Sequence, residues 1–515
     1  MDSNKIKAII VVVIATFVAL YLGITAATAQ FETIAWVVGV ATFIACLALG
    51  KKIWLLIPLL GALNLTLMIP GRPTTMQVAQ LLVVGFCMLM LLTRKLPYRL
   101  QITELEFWIG LLTVAVAQVY LRNPTGLNIF GGDTVGGRPY VFFAATLVTA
   151  LLLCGLRVPP GELRTAVKLS IVGGLLNFVV GLFGWLFPVF GVWFGTATAT
   201  GSEVQQEAVD TGRAGRIPFI VFVPITIANW VSSYVNPLRG SFSLRWAPLI
   251  LISFAFAAAS GYRNVIGAVG LTYLVGIFYH GRLPSLIAAC FLGILGLIFL
   301  SVGNMVVPFP PNIQRALSFL PGTWDERYTA DSEASTNWRT EVWMEVLLTD
   351  RWIANKIMGD GMGFTKEELA MQQTLAANKI TGKVGTSGFD AHRESILANG
   401  DYHSGPVSAI RTIGYVGLLI MALAQFRLVV HAHRQIMRCK GTEWFPVALF
   451  ICIPIVWTPI FFWGVFGGFG KDAPAILMAA GMLRLLENNL PLPAYAPRRR
   501  GPYVLNQRTA AAENG

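Results

Sequence analysis

Long apolar runs separated by short polar connections dominate the pattern of this 515-residue sequence. A helix needs roughly 20 apolar residues to cross a bilayer, and runs of that order recur along most of the chain. Setting these runs against prolines, glycines and charges predicts about 14 transmembrane helices. The predicted spans lie near residues 8–29, 32–49, 53–69, 75–93, 105–121, 140–156, 166–195, 217–235, 247–261, 264–280, 284–307, 406–426, 444–466 and 472–488. The predicted fold class is therefore all-α, that of a polytopic membrane protein.

The first apolar run follows MDSNKIK and ends at Ala27-Thr28-Ala29, which resembles the cleavage site of a signal peptide. The run is longer than the roughly 7–15 apolar residues of a signal peptide. We therefore expect an uncleaved first helix.

The charges of the short connections predict the orientation, because lysine and arginine concentrate on the cytoplasmic side. With the N-terminus inside, sixteen basic residues fall in cytoplasmic connections and seven fall on the opposite side. Those seven are Arg72, Arg122, Arg138, Arg213, Arg216, Arg263 and Lys471. Both termini are predicted to be cytoplasmic, and PRRR at 497–500 also falls inside.

One connection, residues 308–405, is far longer than the others and is predicted to lie outside. Long loops without a role are uncommon. The chain divides into N-terminal helices, helices with arginine-bearing outer junctions, the large loop, C-terminal helices and a cytoplasmic tail. Their predicted bounds are 1–200, 201–307, 308–405, 406–488 and 489–515.

The large loop has a helical pattern. In NWRTEVWMEVLLTDRW, Asn337 is the predicted N-cap, and an apolar stripe is formed by Trp338, Val342, Val346 and Leu347. GDGMGF (359–364) breaks this helix, and Thr365 with Glu368 then forms a capping box that opens a second one. A small helical cap on the outer membrane face is expected.

Composition narrows the function classes. Apolar residues make up 55% of the chain and charged residues 13%, against about 25% charged in soluble domains. The net charge of +13 has no basic cluster on a soluble domain, so no nucleic-acid partner is predicted. The six cysteines are dispersed without metal-ligand spacing, and neither a metal nor a cofactor is predicted.

Several arginines break the positive-inside pattern and supply the candidate chemistry. Arg213, Arg216, Arg263, Arg339 and Arg411 all project to the outer face under this topology. A charge at membrane depth is costly and usually faces a cavity or a partner, and a guanidinium matches phosphate oxygens with two parallel donors. Several converging arginines would form a pyrophosphate site without a metal.

A structural explanation of the same arginines is also open. Arginines near helix ends extend their charge to the interface, and Arg339 could pair with Glu341 or Glu345. We expect Arg72, Arg122 and Arg138 to be ordinary loop residues.

His403 immediately precedes the span that starts near Pro406, on the same predicted face as the arginines. A neutral imidazole with a pKa near 6.5 can accept a proton from a hydroxyl group. The alternative is a solvated loop histidine without a catalytic role.

Three fragments, in this order and spacing, resemble the O-antigen ligase and O-antigen polymerase superfamily of membrane glycosyltransferases. They are ASGYRNVIGAVGL with Arg263, NWRTEVWMEVL followed by IMGDGMGF with Arg339, and DYHSGPVSAIRTIGYVGLL with His403. GRAGRIPFIVFVPITIAN is a fainter fourth likeness. The resemblance covers about residues 210–430. The family commonly carries His-Asn at the third fragment, whereas Ser404 follows His403 here.

The resemblance implies a GT-C-like fold with a large helical periplasmic loop in a bacterial inner membrane. It implies metal-independent transfer of a glycan from an undecaprenyl-diphosphate donor to lipid A–core (a ligase) or to another carrier-linked glycan (a polymerase). By position, Arg263 and Arg339 would hold the diphosphate and His403 would be the general base. Arg213, Arg216 and Arg411 would contact the diphosphate or the glycan.

Two other classes of function remain open. A flippase for lipid-linked oligosaccharide would also suit many spans with outward-facing arginines, but it predicts functional charges at the midplane and symmetry between the halves of the chain. Neither is seen in the sequence. A structural scaffold without a ligand would leave the ordered fragments unexplained.

Overall fold

The computed structural model describes residues 44, 46–67, 72–126, 136–187, 216–365, 368, 370, 397, 400 and 402–490. Within these residues the chain is helical, and the only β-type pairings described are two isolated bridges. The helices, in chain order, are α1 (Leu56–Leu63), α2 (Thr75–Leu92), α3 (Glu104–Arg122), α4 (Arg138–Gly155), α5 (Pro160–Leu186), α6 (Phe222–Tyr234), α7 (Pro237–Gly240), α8 (Ala247–Ala259), α9 (Arg263–Val306), α10 (Pro311–Leu317), α11 (Glu326–Leu348), α12 (Gly405–Cys439), α13 (Phe445–Gly464) and α14 (Phe469–Asn489). The predicted all-α class is confirmed for the described residues.

Nine segments of the described chain are long and apolar enough to cross a membrane. Two shorter apolar helices cover Pro218–Tyr234 and Ala247–Ala259. The chain is thus a polytopic membrane protein by the length and composition of its helices. The predicted span 8–29, most of 32–49 and the tail 491–515 lie outside the described residues, so the number 14 stays a prediction.

Helix α9 joins two predicted spans, 264–280 and 284–307, in one run of 44 residues with Pro284 inside it. A straight helix of this length would measure about 65 Å. However, Arg263 at its start donates a hydrogen bond to the carbonyl of Arg315, and the chain from Val306 to Arg315 can span at most about 32 Å. The helix must therefore bend sharply near Pro284, which brings its two ends to the same side of the bundle.

Two groups of membrane helices form separate apolar cores. The larger core contains buried residues of α1 to α5 and α12 to α14, among them Ile57, Leu112 and Phe462. The smaller core is made by α6, α8 and the first half of α9, around Val231 and Val269.

Helix α11 lies on the start of α12 and confirms the predicted apolar stripe. Val342 and Val346 are fully buried against Tyr402, Val407 and Ile410, with Trp338 and Leu347 packed beside them. The stripe therefore attaches the large loop to the membrane bundle.

The predicted N-cap of α11 is wrong. Asn337 lies inside the helix, which begins at Glu326 and is capped by the Asp325 side chain accepting from the Arg327 N–H. A cap residue is recognised by its position before an apolar stripe, and here the first three turns are polar, so the stripe starts late.

Candidate functional site

Arg263 is the first residue of α9 and lies over the short helix α10. Its Nε donates to the carbonyl of Arg315 at 3.3 Å, and its Nη2 donates to Oγ of Ser318 at 3.3 Å. Arg315 and Ser318 are both buried. The bend in α9 makes this contact possible, because it returns the chain to the side where α9 began.

Arg216 contacts Tyr262, the residue that precedes Arg263 in the chain. The Arg216 guanidinium stands 5.2 Å from the centre of the Tyr262 ring, a cation–π distance. The Arg216 backbone lies against Gly261. Burial raises the pKa of the Tyr262 phenol, while the charges of Arg216 and Arg315 lower it. Positive charge from two segments of the chain therefore reaches this phenol.

Arg339 projects from α11 and is half buried. Its Nε is enclosed and has no hydrogen-bond partner in the part of the chain that the structure describes. Burial lowers the pKa of Arg339, and the positive charge of Arg216 lowers it further. Of the two carboxylates that could pair with Arg339, Glu345 accepts from Nε1 of Trp352 at 2.8 Å and contacts Arg351 at 3.8 Å. No ion pair of Arg339 with Glu341 or Glu345 is among the contacts described.

His403 lies between two aromatic rings, one of which belongs to Trp338, the residue before Arg339. The centres of the Trp338 and Phe466 rings are each 5.5 Å from the imidazole centre, and the Phe466 ring is stacked on it. Trp338 precedes Arg339 in α11, so this contact joins the histidine to the arginine-bearing helix. The backbone of His403 has φ +48°, a left-handed conformation that is uncommon outside glycine.

Ser404 is the N-cap of α12. Its Oγ accepts from the Val407 N–H at 3.5 Å. Asparagine and serine are both preferred N-caps. Ser404 thus has a structural use that an asparagine at this position could also serve.

Arg411 and Arg213 are not brought to this group by the described contacts. Arg411 is on the first part of α12, with its guanidinium 4.3 Å from the centre of the Phe364 ring. Gly400 lies so close that a Cβ there would be 2.6 Å from the Arg411 Cζ. Arg213 lies outside the described residues. Their roles in substrate binding stay predictions.

The loop motif GDGMGF and the glycines of the α12 motif meet in space. Gly414 interrupts α12 with φ +71° and ψ −179°, and the turn formed by residues 356–361 fills the interruption. Thr365 and Glu368 exchange the backbone bonds of the predicted capping box, at 2.8 and 3.1 Å. The helix expected after the box lies largely outside the described residues.

Two of the arginines that we expected to be ordinary loop residues, Arg138 and Arg122, instead bind backbone carbonyls in distant parts of the chain. Arg138 is in the first turn of α4, is buried, and donates to the carbonyl of Arg72 at 3.1 Å. Arg122 ends α3 and donates from Nη2 to the carbonyls of Met358 and Gly359. Sequence alone could not reveal these contacts, because the accepting carbonyls lie 66 and more than 230 residues away.

We call the group of Arg216, Arg263, Arg339 and His403 the arginine face. Its described contacts include Tyr262, Arg315 and Trp338. Among the residues that the structure describes, no group of histidine, cysteine and acidic side chains could hold a metal ion. Guanidinium groups are suited to bind an anion, and an imidazole is suited to accept a proton.

Comparison of the chain with protein-family models and with curated proteins found no match.

Proposed function

We propose that this chain is an integral-membrane glycan transferase whose donor is an oligosaccharide linked to undecaprenyl diphosphate. The observation that carries the proposal is the half-buried guanidinium of Arg339, whose enclosed Nε has no hydrogen-bond partner among the described residues. The positive charge of Arg216 lowers the pKa of Arg339, and no carboxylate is among the described contacts of either arginine. Like charges in a partly buried place repel unless an anion joins them. A diphosphate supplies negative charge and acceptor oxygens suited to guanidinium groups.

His403 would act as the general base in this reaction. It would take the proton of an acceptor hydroxyl as the hydroxyl oxygen bonds to the anomeric carbon of the donor sugar. The bond between that carbon and the diphosphate oxygen breaks at the same centre, and the electron pair leaves with the diphosphate. Arg263, Arg339 and Arg216 would stabilise the charge that develops on the leaving group.

The setting of the proposed reaction follows from the charges of the connections and from the family resemblance. The arginine face would be the periplasmic face of a bacterial inner membrane, with both termini in the cytoplasm. The acceptor would be lipid A–core if the enzyme is a ligase, or another carrier-linked glycan if it is a polymerase. The bilayer itself would hold both lipid substrates beside the site.

Glycan transfer by the purified protein in lipid vesicles tests this function. His403→Ala is expected to lower the turnover by about 10²- to 10⁴-fold, and Arg263→Ala by about 10²- to 10³-fold. Arg99→Gln is the matched control, because Arg99 is an exposed arginine remote in sequence from the arginine face. Transfer by His403→Ala and Arg263→Ala at the unmodified rate would overturn the proposal. Movement of the donor across the vesicle membrane without any product would favour the flippase instead.

A further inference from the structure

The backbone groups on both sides of the break in α12 at Gly414 form hydrogen bonds with another part of the chain. A helix end leaves its last carbonyls without intrahelical donors. Here the carbonyl of Arg411 accepts from the Asp360 N–H at 2.6 Å, and that of Thr412 accepts from the Gly361 N–H at 3.1 Å. The carbonyls before the break are thus satisfied by the turn 356–361.

The same turn serves the helix that resumes after the break. The N–H of Tyr415 donates to the carbonyl of Lys356 at 2.8 Å, and that of Val416 donates to the carbonyl of Ile357 at 3.2 Å. Four backbone hydrogen bonds therefore replace the helical bonds lost at Gly414. Residues 356–361 thus take the place of the helical turn that α12 does not form at Gly414.

This insertion requires glycine on both sides. A Cβ on Gly414 would overlap the carbonyl of Ile357, and one on Gly359 would lie 2.6 Å from the backbone nitrogen of Ile413. Both glycines also have positive φ, +71° and +82°, which side chains disfavour.

The end of α3 holds the opposite side of the turn. Nη2 of Arg122 donates to the carbonyls of Met358 at 2.9 Å and Gly359 at 2.8 Å, and Nδ2 of Asn123 donates to the carbonyl of Asp360 at 3.0 Å. Three consecutive carbonyls of the turn are therefore bound by two consecutive residues. The turn is held between α3 and the break in α12.

We propose that Arg122 is a positioning residue for His403. The first part of α12, before Gly414, begins two residues after His403, and the 356–361 turn sets the direction of that part. Arg122 keeps the turn in the break and thereby keeps His403 between Trp338 and Phe466. The role of His403 as a base in this position rests on the proposed function. The placement of His403 between the two rings does not depend on that function.

The first test measures position alone. In the full chain with Cys290→Ser, which removes the exposed cysteine, His403→Cys is labelled with a membrane-impermeant maleimide. Arg122→Gln is expected to raise the labelling rate several-fold, because a loosened turn exposes position 403. Arg122→Lys should restore most of the protection, since an ammonium group can still donate to the two carbonyls, and Arg99→Gln should change nothing. Equal rates in all four proteins would overturn the proposal.

The second test measures turnover with His403 intact. Arg122→Gln is expected to lower kcat on the order of 100-fold, the cost of a small misplacement of a reacting group, while KM for the diphosphate donor stays unchanged. Arg122→Lys should recover part of kcat. A rise in KM with unchanged kcat would mean that Arg122 contributes to donor binding and would overturn the positioning role.

The two tests separate the two proposals. Altered labelling in a protein whose unmodified form transfers no glycan would support the position of His403 and refute the proposed function. If Arg122→Gln fails to fold, as judged by its thermal unfolding, Asn123→Ala takes its place, because it removes only the bond to Asp360. A smaller change in the same direction is then expected, and none would refute the positioning role.

Discussion

Two regions of this protein differ in whether their arginines are paired with carboxylates. Arg484 donates to Glu106 at 2.7 Å and also to Glu487, and the side chains of Arg484 and Glu106 are only 5% and 3% exposed. In the arginine face, Arg339 is half buried with its Nε lacking a hydrogen-bond partner among the described residues, and no carboxylate is among the described contacts of Arg339 or Arg216. The first region pairs its arginine with carboxylates, whereas no such pair is among the described contacts of Arg339 and Arg216.

The first region, here called the glutamate face, also contains a pair nearer to solvent. Glu104 at the start of α3 contacts Arg427 at 3.0 Å and His431 at 3.2 Å. Its side chain is 37% exposed, so water weakens these contacts. Substitutions in the two faces can therefore be compared at three sites that differ in burial and pairing. These sites are a buried ion pair, a partly buried cluster of like charges and a more exposed ion pair.

The largest effect is expected at the buried pair. Glu106→Gln removes a buried charge-assisted hydrogen bond while Glu487 still pairs with Arg484, so it should lower the free energy of unfolding by about 1.5–3 kcal/mol. Thermal unfolding of the detergent-solubilised protein measures this, with Glu443→Gln as the control because that glutamate is mostly exposed. An unchanged unfolding midpoint would show that the glutamate face is not structural.

Arg339→Gln should have a different outcome, although it also removes a partly buried charge. The substitution relieves burial of a cation and its repulsion by Arg216, so stability should stay constant or rise by up to about 1 kcal/mol. Glycan transfer should nevertheless fall. A loss of stability as large as that of Glu106→Gln would mean that Arg339 serves the fold.

The smallest effect is expected at the exposed pair. Glu104→Gln should cost no more than about 1 kcal/mol of stability, and less at high salt because mobile ions screen exposed charges. Unfolding midpoints measured at low and high ionic strength check this. A loss equal to that at Glu106 would remove the distinction between buried and exposed pairs.

Features formed by residues close in sequence could be predicted. The apolar stripe of α11 and the capping box of Thr365 and Glu368 both depend on spacings of a few residues, and both are present. The apolar runs likewise predicted helices such as α2 and α13 with small errors at their ends. Local pattern carries this information because it reports helical periodicity and burial directly.

Features formed by distant residues could not be predicted. The support of Arg263 by Arg315 depends on the bend near Pro284, and the contact of Arg122 with Met358 joins residues 236 positions apart. The ring of Phe466, two residues beyond the end of α13, contacts the ring of His403. A sequence pattern holds no record of which distant backbone carbonyl or ring will face a side chain, so the candidate residues could be named without their contacts.

Binding of a polyprenyl diphosphate to the purified protein tests the central claim most directly, because it asks whether the arginine face binds a diphosphate anion. The lipid at a hundred times its Kd should stabilise the unmodified protein by about 2.7 kcal/mol. His403→Ala should retain this stabilisation, because the proposed base does not hold the diphosphate, whereas Arg339→Gln and Arg216→Gln should lose most of it. Equal stabilisation of all four proteins, or none of the unmodified one, would contradict the account.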